Sequence, residues 1–190
     1  MQYLKKEVRS KILDAAISEF LTEGYSDASI RNIAQTAGIS LGNIYRYFTN
    51  KEALYLAVVN PVLDVALKKI NSLFGFNFEN FEKLPAVVVE FMNEYRDRLS
   101  IVGKGGKEQY EAFINAIIAA VADNLRYCIN ERYPFLSDKI KNEGFYLSIA
   151  SSFVHGLLVL IKEKTDDETK KENIKELLLF FFNKIDVRFK

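Results

Sequence analysis

Three side chains that can hydrogen-bond to nucleic acid lie close together in this chain of 190 residues: Asn43, Arg46 and Tyr47. A guanidinium can donate two hydrogen bonds to one guanine, and a carboxamide can pair in the same way with adenine. A tyrosine hydroxyl can donate to a phosphate, which fixes the register without reading the sequence. The three can act together only if one rigid element presents them on a face that the core leaves free.

The surrounding stretch, residues 29–51, predicts two short helices joined by a tight turn, with a serine placed to cap each helix. Gly38 lies where the first helix must end, because glycine adopts the left-handed conformation at little cost. Ala34 is small enough to let the helices approach, and Ile44 faces the core. This pattern is typical of a helix-turn-helix, whose second helix, here 41–48, is free to enter a groove of DNA.

The segments on either side predict the helices that support this motif. Residues 3–23 carry an apolar stripe at helical spacing and end at Gly24. Thr49 and Glu52 have the spacing of a capping box, which opens a further helix. Pro61 lies inside that helix and predicts a kink in the preceding turn, because proline removes a backbone hydrogen bond. This helix would connect a three-helix head to the rest of the chain.

The remaining sequence predicts helices only. They lie at 81–99, 107–132, 142–164 and 168–185. The last two are apolar on nearly all faces, and pairing them with their copies would make a four-helix bundle, so we expect a homodimer through 142–164 and 168–185. The predicted fold class is all-α, with a helix-turn-helix DNA-binding domain at 1–50 and a helical domain at 51–190.

Composition and charge place few limits on function. The formal net charge is +1, and residues 1–51 hold seven lysines and arginines against five acidic residues, which does not by itself indicate nucleic acid. One cysteine, Cys128, excludes a disulfide within the chain and suits a reducing compartment. The N-terminus lacks the apolar core of a signal peptide. The apolar run 145–161 contains three serines and a histidine, which favours a buried helix over a membrane span. We expect a cytoplasmic protein.

The N-terminal residues resemble the signature of the TetR (tetracycline-repressor) family over residues 8–56. The segments that carry the resemblance are Ile12-Leu13-x-Ala15-Ala16, Phe20, Glu23-Gly24-Tyr25, Ser29-Ile30-Arg31-x-Ile33-Ala34, Ala37-Gly38-Ile39-Ser40, Gly42-x-Ile44-Tyr45-x-Tyr47-Phe48 and Lys51-Glu52-x-Leu54. In that family a homodimer binds a palindromic operator, and a small molecule in the C-terminal domain usually releases it. The resemblance therefore implies a ligand-responsive repressor, with ligand binding and dimerisation in residues 51–190.

The same resemblance implies which residues meet the operator. They open the second and third helices, form an aromatic pair on the recognition helix, and include a lysine that opens the fourth helix. The expected DNA-binding residues are Ser29, Arg31, Ser40, Leu41, Gly42, Asn43, Tyr45, Arg46, Tyr47 and Lys51. Two alternatives stay open. Tyr45 and Tyr47 can instead pack in the core beside Ile44, and Arg46 and Lys51 can be ordinary solvated charges.

A ligand pocket would be lined by aromatic and apolar side chains of the middle helices, and its ligand would be mostly apolar. The expected lining residues are Phe91, Met92, Tyr95, Tyr110, Phe113, Ile117, Tyr146, Ile149, Phe153 and His155. Stripes of this kind are more often plain core. For His155 the first interpretation is a buried core residue with one hydrogen bond, and the alternative is a polar anchor for a ligand.

Other chemistry finds little support in the sequence. One histidine and one cysteine cannot supply the usual ligands of a metal site, and Cys128 is most simply a small buried hydrophobe. No catalytic set or phosphate loop is evident, and the glycines at 103–106 predict a turn. We expect no enzyme activity, no metal and no cofactor. A ligand-binding or scaffold protein of the same fold, without operator binding, is the alternative function.

Overall fold

The computed structural model describes residues 5–74, 82–137, 140 and 142–183, and these residues form helices and no strand. The all-α prediction is confirmed. The helices are α1 Lys6–Asp27, α2 Ile30–Thr36, α3 Leu41–Tyr47, α4 Lys51–Phe74, α5 Leu84–Glu94, α6 Arg96–Gly103, α7 Lys107–Arg132, α8 Pro134–Ser137, α9 Glu143–Lys162 and α10 Asp167–Phe182.

The chain divides into two compact units. The first contains Met1–Asp64 and Tyr95–Phe113, and the second contains Val65–Glu94 and Ile114–Lys190. The first unit therefore holds the helix-turn-helix together with α6 and the first turns of α7. Helices α4 and α7 each contribute residues to both units.

In the first unit, α1 is the platform for the motif. It packs against α2 and α6, and α2 packs against α3. Its apolar stripe buries Ile12, Ala16 and Phe20 completely, and these meet a core that includes Ile33 and Leu54. Each fully buried Ile, Leu or Phe side chain contributes about 1.5–3 kcal/mol before the entropy of ordering is subtracted. The burial fixes the orientation of the two short helices, which are too short to be stable alone.

In the second unit, α10 packs against α5 and α9. Ile174 and Leu178 of α10 are buried, and the ring centroids of Phe153 and Phe182 lie 5.2 Å apart in an edge-to-face contact. The Asp166 carboxylate caps α10 by accepting from the amides of the next turn, which lowers its pKa.

Several predicted helix ends differ from those observed. The predicted helix 81–99 is two helices, because Tyr95 leaves the helical conformation with φ −108° and ψ 20°. The capping residue of α4 is Asn50, whose side-chain oxygen accepts from the Ala53 amide at 2.7 Å, so the predicted cap at Thr49 is wrong. Gly24, at φ 75° and ψ 177°, interrupts the helical conformation where the sequence predicts an end, and the helical residues after this kink extend α1 to Asp27. The predicted break at 75–79 lies outside the described residues.

Two described helices, α7 and α9, are long and apolar enough to cross a membrane by length and composition. Core helices of soluble proteins pass the same test, so this observation does not indicate a membrane. Only 22% of the most apolar window of α9 is buried within the single chain. Most of this window is therefore at least partly exposed in the single chain, and the buried helix predicted at 145–161 would need a second molecule to bury it.

Candidate nucleic-acid interface

Helix α3 buries one face and leaves the other open. Ile44 is 1% exposed and anchors the helix in the core, whereas Tyr45 is 50% exposed and Arg46 is also exposed. The Ser40 hydroxyl accepts a hydrogen bond from the Asn43 amide at 3.3 Å, so the predicted cap forms. The alternative in which Tyr45 packs in the core is wrong. Helix α3 thus presents an aromatic ring and a guanidinium outside the core.

The turn before α3 has the conformation that its glycine predicts. Gly38 adopts φ 68°, in the left-handed region that suits glycine. The Gly38 amide donates to the Gln35 carbonyl at 3.1 Å, and the Ile39 amide donates to the Ala34 carbonyl at 3.0 Å. Ala34 is buried between the helices. The turn and the small residue together bring α2 and α3 into contact.

Gly42, in the first turn of α3, is a glycine that its own chain does not require. A Cβ atom at Gly42 would meet no atom within 4 Å, and the residue is exposed. Alanine would suit the helix better by about 0.5–1 kcal/mol. At Gly105, in contrast, a Cβ atom would lie 2.5 Å from the Tyr55 hydroxyl. The open space at Gly42 leaves room for the backbone of another molecule to approach closely.

The start of α2 is held by Glu19 of α1. The Glu19 carboxylate accepts from the Ser29 amide at 2.9 Å and from the Asn32 carboxamide at 3.1 Å. The Ser29 hydroxyl accepts from the Asn32 backbone amide at 3.4 Å, as the predicted cap. Arg31 is exposed. Ser29 therefore serves the fold, and Arg31 is the charge that α2 offers to solvent.

Lys51, predicted to meet a phosphate, lies against the end of α1. Its ammonium donates to the carbonyls of Ser26 at 2.9 Å and Ala28 at 3.2 Å, and it lies 4.9 Å from the centroid of the Tyr25 ring. A cation is favourable at these carbonyls because the C-terminal end of a helix carries a partial negative charge. Two N–H groups of the ammonium are used in this way, and the third can still reach another acceptor.

Helix α3 also contacts Lys5, the N-cap residue of α1, and the sequence patterns do not reveal this contact. The Lys5 backbone amide donates to the Tyr47 hydroxyl at 3.1 Å, across 42 residues of sequence. One turn later, the guanidinium of Arg9 lies 5.4 Å from the centroid of the buried Phe48 ring. These two contacts tie the start of α1 to the end of α3. Tyr47 is half-buried, so it lies between the core position and the exposed DNA-contacting position that its spacing allowed.

The glycine-rich turn predicted at 103–106 closes against α1 in the same unit. The Tyr25 amide donates to the Lys104 carbonyl at 3.1 Å, and the Lys104 ammonium donates to the Leu21 carbonyl. Tyr55 of α4 lies beneath this turn, and its hydroxyl is buried with no hydrogen-bond partner among the described residues. Burial, and next the neighbouring Tyr25, raise the pKa of Tyr55 to about 12.

The ten residues predicted to line a ligand pocket fall in both compact units. Tyr95, Tyr110 and Phe113 belong to the first, and the other seven belong to the second. Tyr146 and Phe153 are buried within the second unit. A groove of about 610 Å³ on α9 and α10 contains none of the ten. It is lined by Leu160, Glu163, Asn173, Glu176, Leu177, Leu179 and Phe180.

The histidine and the cysteine have different surroundings. His155 is exposed, so its interpretation as a buried core residue is wrong, because the single chain does not enclose that face of α9. Its Nδ1 atom donates to the Ser151 carbonyl at 2.8 Å. Cys128 is buried as predicted, and burial raises the pKa of its thiol. Among the described residues, no three His, Cys, Asp or Glu side chains lie together as a metal site would require.

Residues 12–58 match the family model described as bacterial regulatory proteins of the tetR family. This range contains α2, α3, the turn between them, and the contacts of Glu19 and Lys51. It ends within α4, so the match covers the head and not the helices of the second unit. All ten predicted DNA-binding residues lie inside it.

Similar proteins include known regulators of transcription. The repressor KstR2 of Mycolicibacterium smegmatis is 30% identical over 135 residues, covering 60% of this chain and 65% of KstR2. The regulator RutR of Escherichia coli is 35% identical over 79 residues, covering 42% of this chain and 35% of RutR. The chain thus spans between a third and two thirds of these relatives. A TetR-family regulator of Bordetella parapertussis shares the fold, with a TM-score of 0.63, 20% identity and coverage of 96% and 98% of the two chains.

Proposed function

Because this chain belongs to the TetR family through its N-terminal domain, we propose that it is a DNA-binding transcriptional regulator. We propose further that it acts in the cytoplasm as a homodimeric repressor. A small, mostly apolar molecule would release this dimer from a palindromic operator. The observation that carries the proposal is the open face of α3, where Tyr45 and Arg46 are exposed and a Cβ atom at Gly42 would meet no atom of the chain within 4 Å.

The side chains at the start of α2, on α3 and at the start of α4 suit two tasks. Arg46 can donate two hydrogen bonds to guanine, and Asn43 can pair with adenine, so these two would read sequence. Contacts to phosphates would set the register. The residues proposed to contact phosphates or base edges are Ser29, Arg31, Ser40, Leu41, Gly42, Tyr45, Tyr47 and Lys51. Two copies of α3 would have to lie about 34–36 Å apart to enter successive major grooves.

Gly42 provides a test that separates DNA binding from folding. We expect Gly42→Ala to keep or raise the stability of the chain by up to about 1 kcal/mol, because alanine favours the helix. The same methyl group would obstruct a DNA backbone, so binding should weaken by about tenfold or more, the effect of losing one or two contacts. The measurement is fluorescence anisotropy with a labelled duplex that the wild-type protein selects from a random-sequence library.

Gly103→Ala is the matched control. A Cβ atom at Gly103 also meets no atom within 4 Å, and the residue lies at the end of α6, away from α3 in sequence. Its binding should equal that of the wild type. Equal binding by both variants would contradict the placement of Gly42 at the DNA backbone. An absence of salt-dependent duplex binding by the wild-type protein would instead favour a ligand-binding or scaffold protein.

The effector part of the proposal concerns the second unit and the helix that leads to it. Helix α4 would act as a lever, so that a ligand bound among the middle helices changes the spacing of the two heads. Such a ligand must bind the released state more tightly by several kcal/mol to empty the operator. Native mass spectrometry of the purified protein tests this directly. We expect to find a co-purified molecule, and adding it should weaken duplex binding. If candidate apolar ligands do not change the affinity for the duplex, regulation by an effector is contradicted.

A further inference from the structure

The start of α1 and the end of α3 are joined by two contacts of different kinds. The Lys5 amide donates to the Tyr47 hydroxyl at 3.1 Å. The Arg9 guanidinium lies over the Phe48 ring, whose side chain is buried. Both belong to the compact unit that holds the head. The second contact packs α1 against the C-cap residue of α3, and the first reaches the hydroxyl of Tyr47, the last residue of α3.

The first contact decides how that hydroxyl can be used. A hydroxyl has one O–H donor and two acceptor lone pairs. Because the Lys5 amide donates to one lone pair, the proton of Tyr47 stays available for an acceptor outside the chain. Phosphate oxygens only accept, and a hydroxyl that already accepts a hydrogen bond is a stronger donor. An amide that held the tyrosine in place would therefore also improve it as a phosphate ligand.

Given the DNA binding proposed above, we propose that the backbone amide of Lys5 is a positioning group for Tyr47, which donates its hydroxyl proton to an operator phosphate. Lys5 is the N-cap residue of α1, with φ −72° and ψ 126°, and its side chain makes no capping bond. The amide belongs to no helical hydrogen bond because it precedes the first turn. Its bond to Tyr47 is therefore not needed to form α1.

Proline at this position removes the amide proton and also restricts the backbone of the residue before it, an effect that is equally present in the Tyr47→Phe background. Its ring holds φ near −65°, which the observed value of Lys5 already matches. Lys5→Ala is the matched control, since both variants lose the same charge and only the alanine variant keeps the N–H. The difference between Lys5→Pro and Lys5→Ala in duplex binding therefore isolates the amide. Tyr47→Phe removes the hydroxyl itself and leaves the ring.

The experiment compares Lys5→Pro with Lys5→Ala, each made in the wild-type chain and in the Tyr47→Phe chain. Binding of these four variants to the selected duplex is measured over a series of salt concentrations. We expect Lys5→Pro to bind about tenfold more weakly than Lys5→Ala, the scale of one hydrogen bond to a charged group. The salt dependence of the two should be the same, because their charges are equal. In the Tyr47→Phe background the two variants should bind alike, and Tyr47→Phe alone should bind more weakly than the wild type.

Each other outcome is decisive. Equal binding of Lys5→Pro and Lys5→Ala overturns the role of the amide, and so does a difference that persists in the Tyr47→Phe background, since the amide would then act without the hydroxyl. If thermal denaturation shows that Lys5→Pro is unfolded, wild-type binding by Tyr47→Phe overturns the inference instead. Failure of the wild-type protein to bind any duplex would remove the proposed function, which distinguishes that failure from the failure of this positioning role.

Discussion

At the scale of single residues, polar side chains of the head serve the fold before they meet a partner. Ser29 and Ser40 cap helices, and Lys51 donates to carbonyls at the end of α1. Replacing any of these would lower stability and binding together, so loss of binding alone would not identify a DNA contact. Gly42 contributes no such internal contact. It is the residue at which an effect on binding can be read most directly.

The hydroxyl oxygen of Tyr55 is a single atom with a clear effect on the free energy of unfolding. Its hydroxyl is buried without a partner among the described residues, which costs about 1–3 kcal/mol relative to a solvated hydroxyl. We expect Tyr55→Phe to raise the free energy of unfolding by roughly 1 kcal/mol in urea denaturation at neutral pH, because the ring stays and the stranded oxygen is removed. Tyr45→Phe, at a half-exposed ring, should change stability little. A clear loss of stability in Tyr55→Phe would instead show that the hydroxyl is hydrogen-bonded, for example to an enclosed water.

The same hydroxyl predicts a dependence on alkaline pH. Its pKa in the folded chain is raised to about 12, above the usual value of 10.0, because burial disfavours the phenolate. The unfolded chain loses this proton near pH 10 and the folded chain only near pH 12, so the folded state loses stability as the pH rises from about 10 through about 12 and shows no such loss below about pH 10. Tyr55→Phe should lack that loss, so its advantage over the wild-type protein should grow between these pH values.

At the scale of helices, local signals in the sequence predict what local contacts determine. Gly38 predicts the turn because only its own φ matters, and Ile44 predicts the buried face of α3 because burial follows helical spacing. Capping is less certain where two candidates are adjacent. Thr49 and Asn50 can both cap α4, and the stronger capping residue, Asn50, makes the bond.

Contacts between distant parts of the chain are the portion that the sequence pattern does not contain. The helix break at Tyr95 has no glycine or proline beside it that would predict it. The bond from Lys5 to Tyr47 joins residues 42 positions apart, and the docking of Lys104 on α1 depends on the packing of α6. The open face of the candidate site was therefore predictable. The partners that hold its tyrosine and lysine were not, because they follow from how helices meet and not from their periodicity.

At the scale of the whole molecule, the helices predicted to form the dimer leave apolar side chains in solvent. Val159 of α9 is 62% exposed and Phe180 of α10 is 70% exposed, with Leu179 beside it. Side chains of this size contribute stability only when they are covered. The exposed strip on α9 and α10 therefore supports the proposed homodimer through 142–164 and 168–185, in which each copy would cover the other and build a four-helix bundle.

Phe180 is the residue at which this interface can be tested. We expect Phe180→Lys to dissociate the dimer, because a lysine in a two-fold interface places two ammonium groups in an apolar contact. Sedimentation equilibrium measures the change, and circular dichroism should show unchanged helix content because the residue is exposed in the single chain. Duplex binding should fall with dissociation, since a monomer reaches one half-site only.

Tyr127→Lys, at an aromatic residue of α7 that is 60% exposed, is the matched control and should remain dimeric. A dimeric Phe180→Lys protein together with a monomeric Tyr127→Lys protein would place the interface on α7 instead.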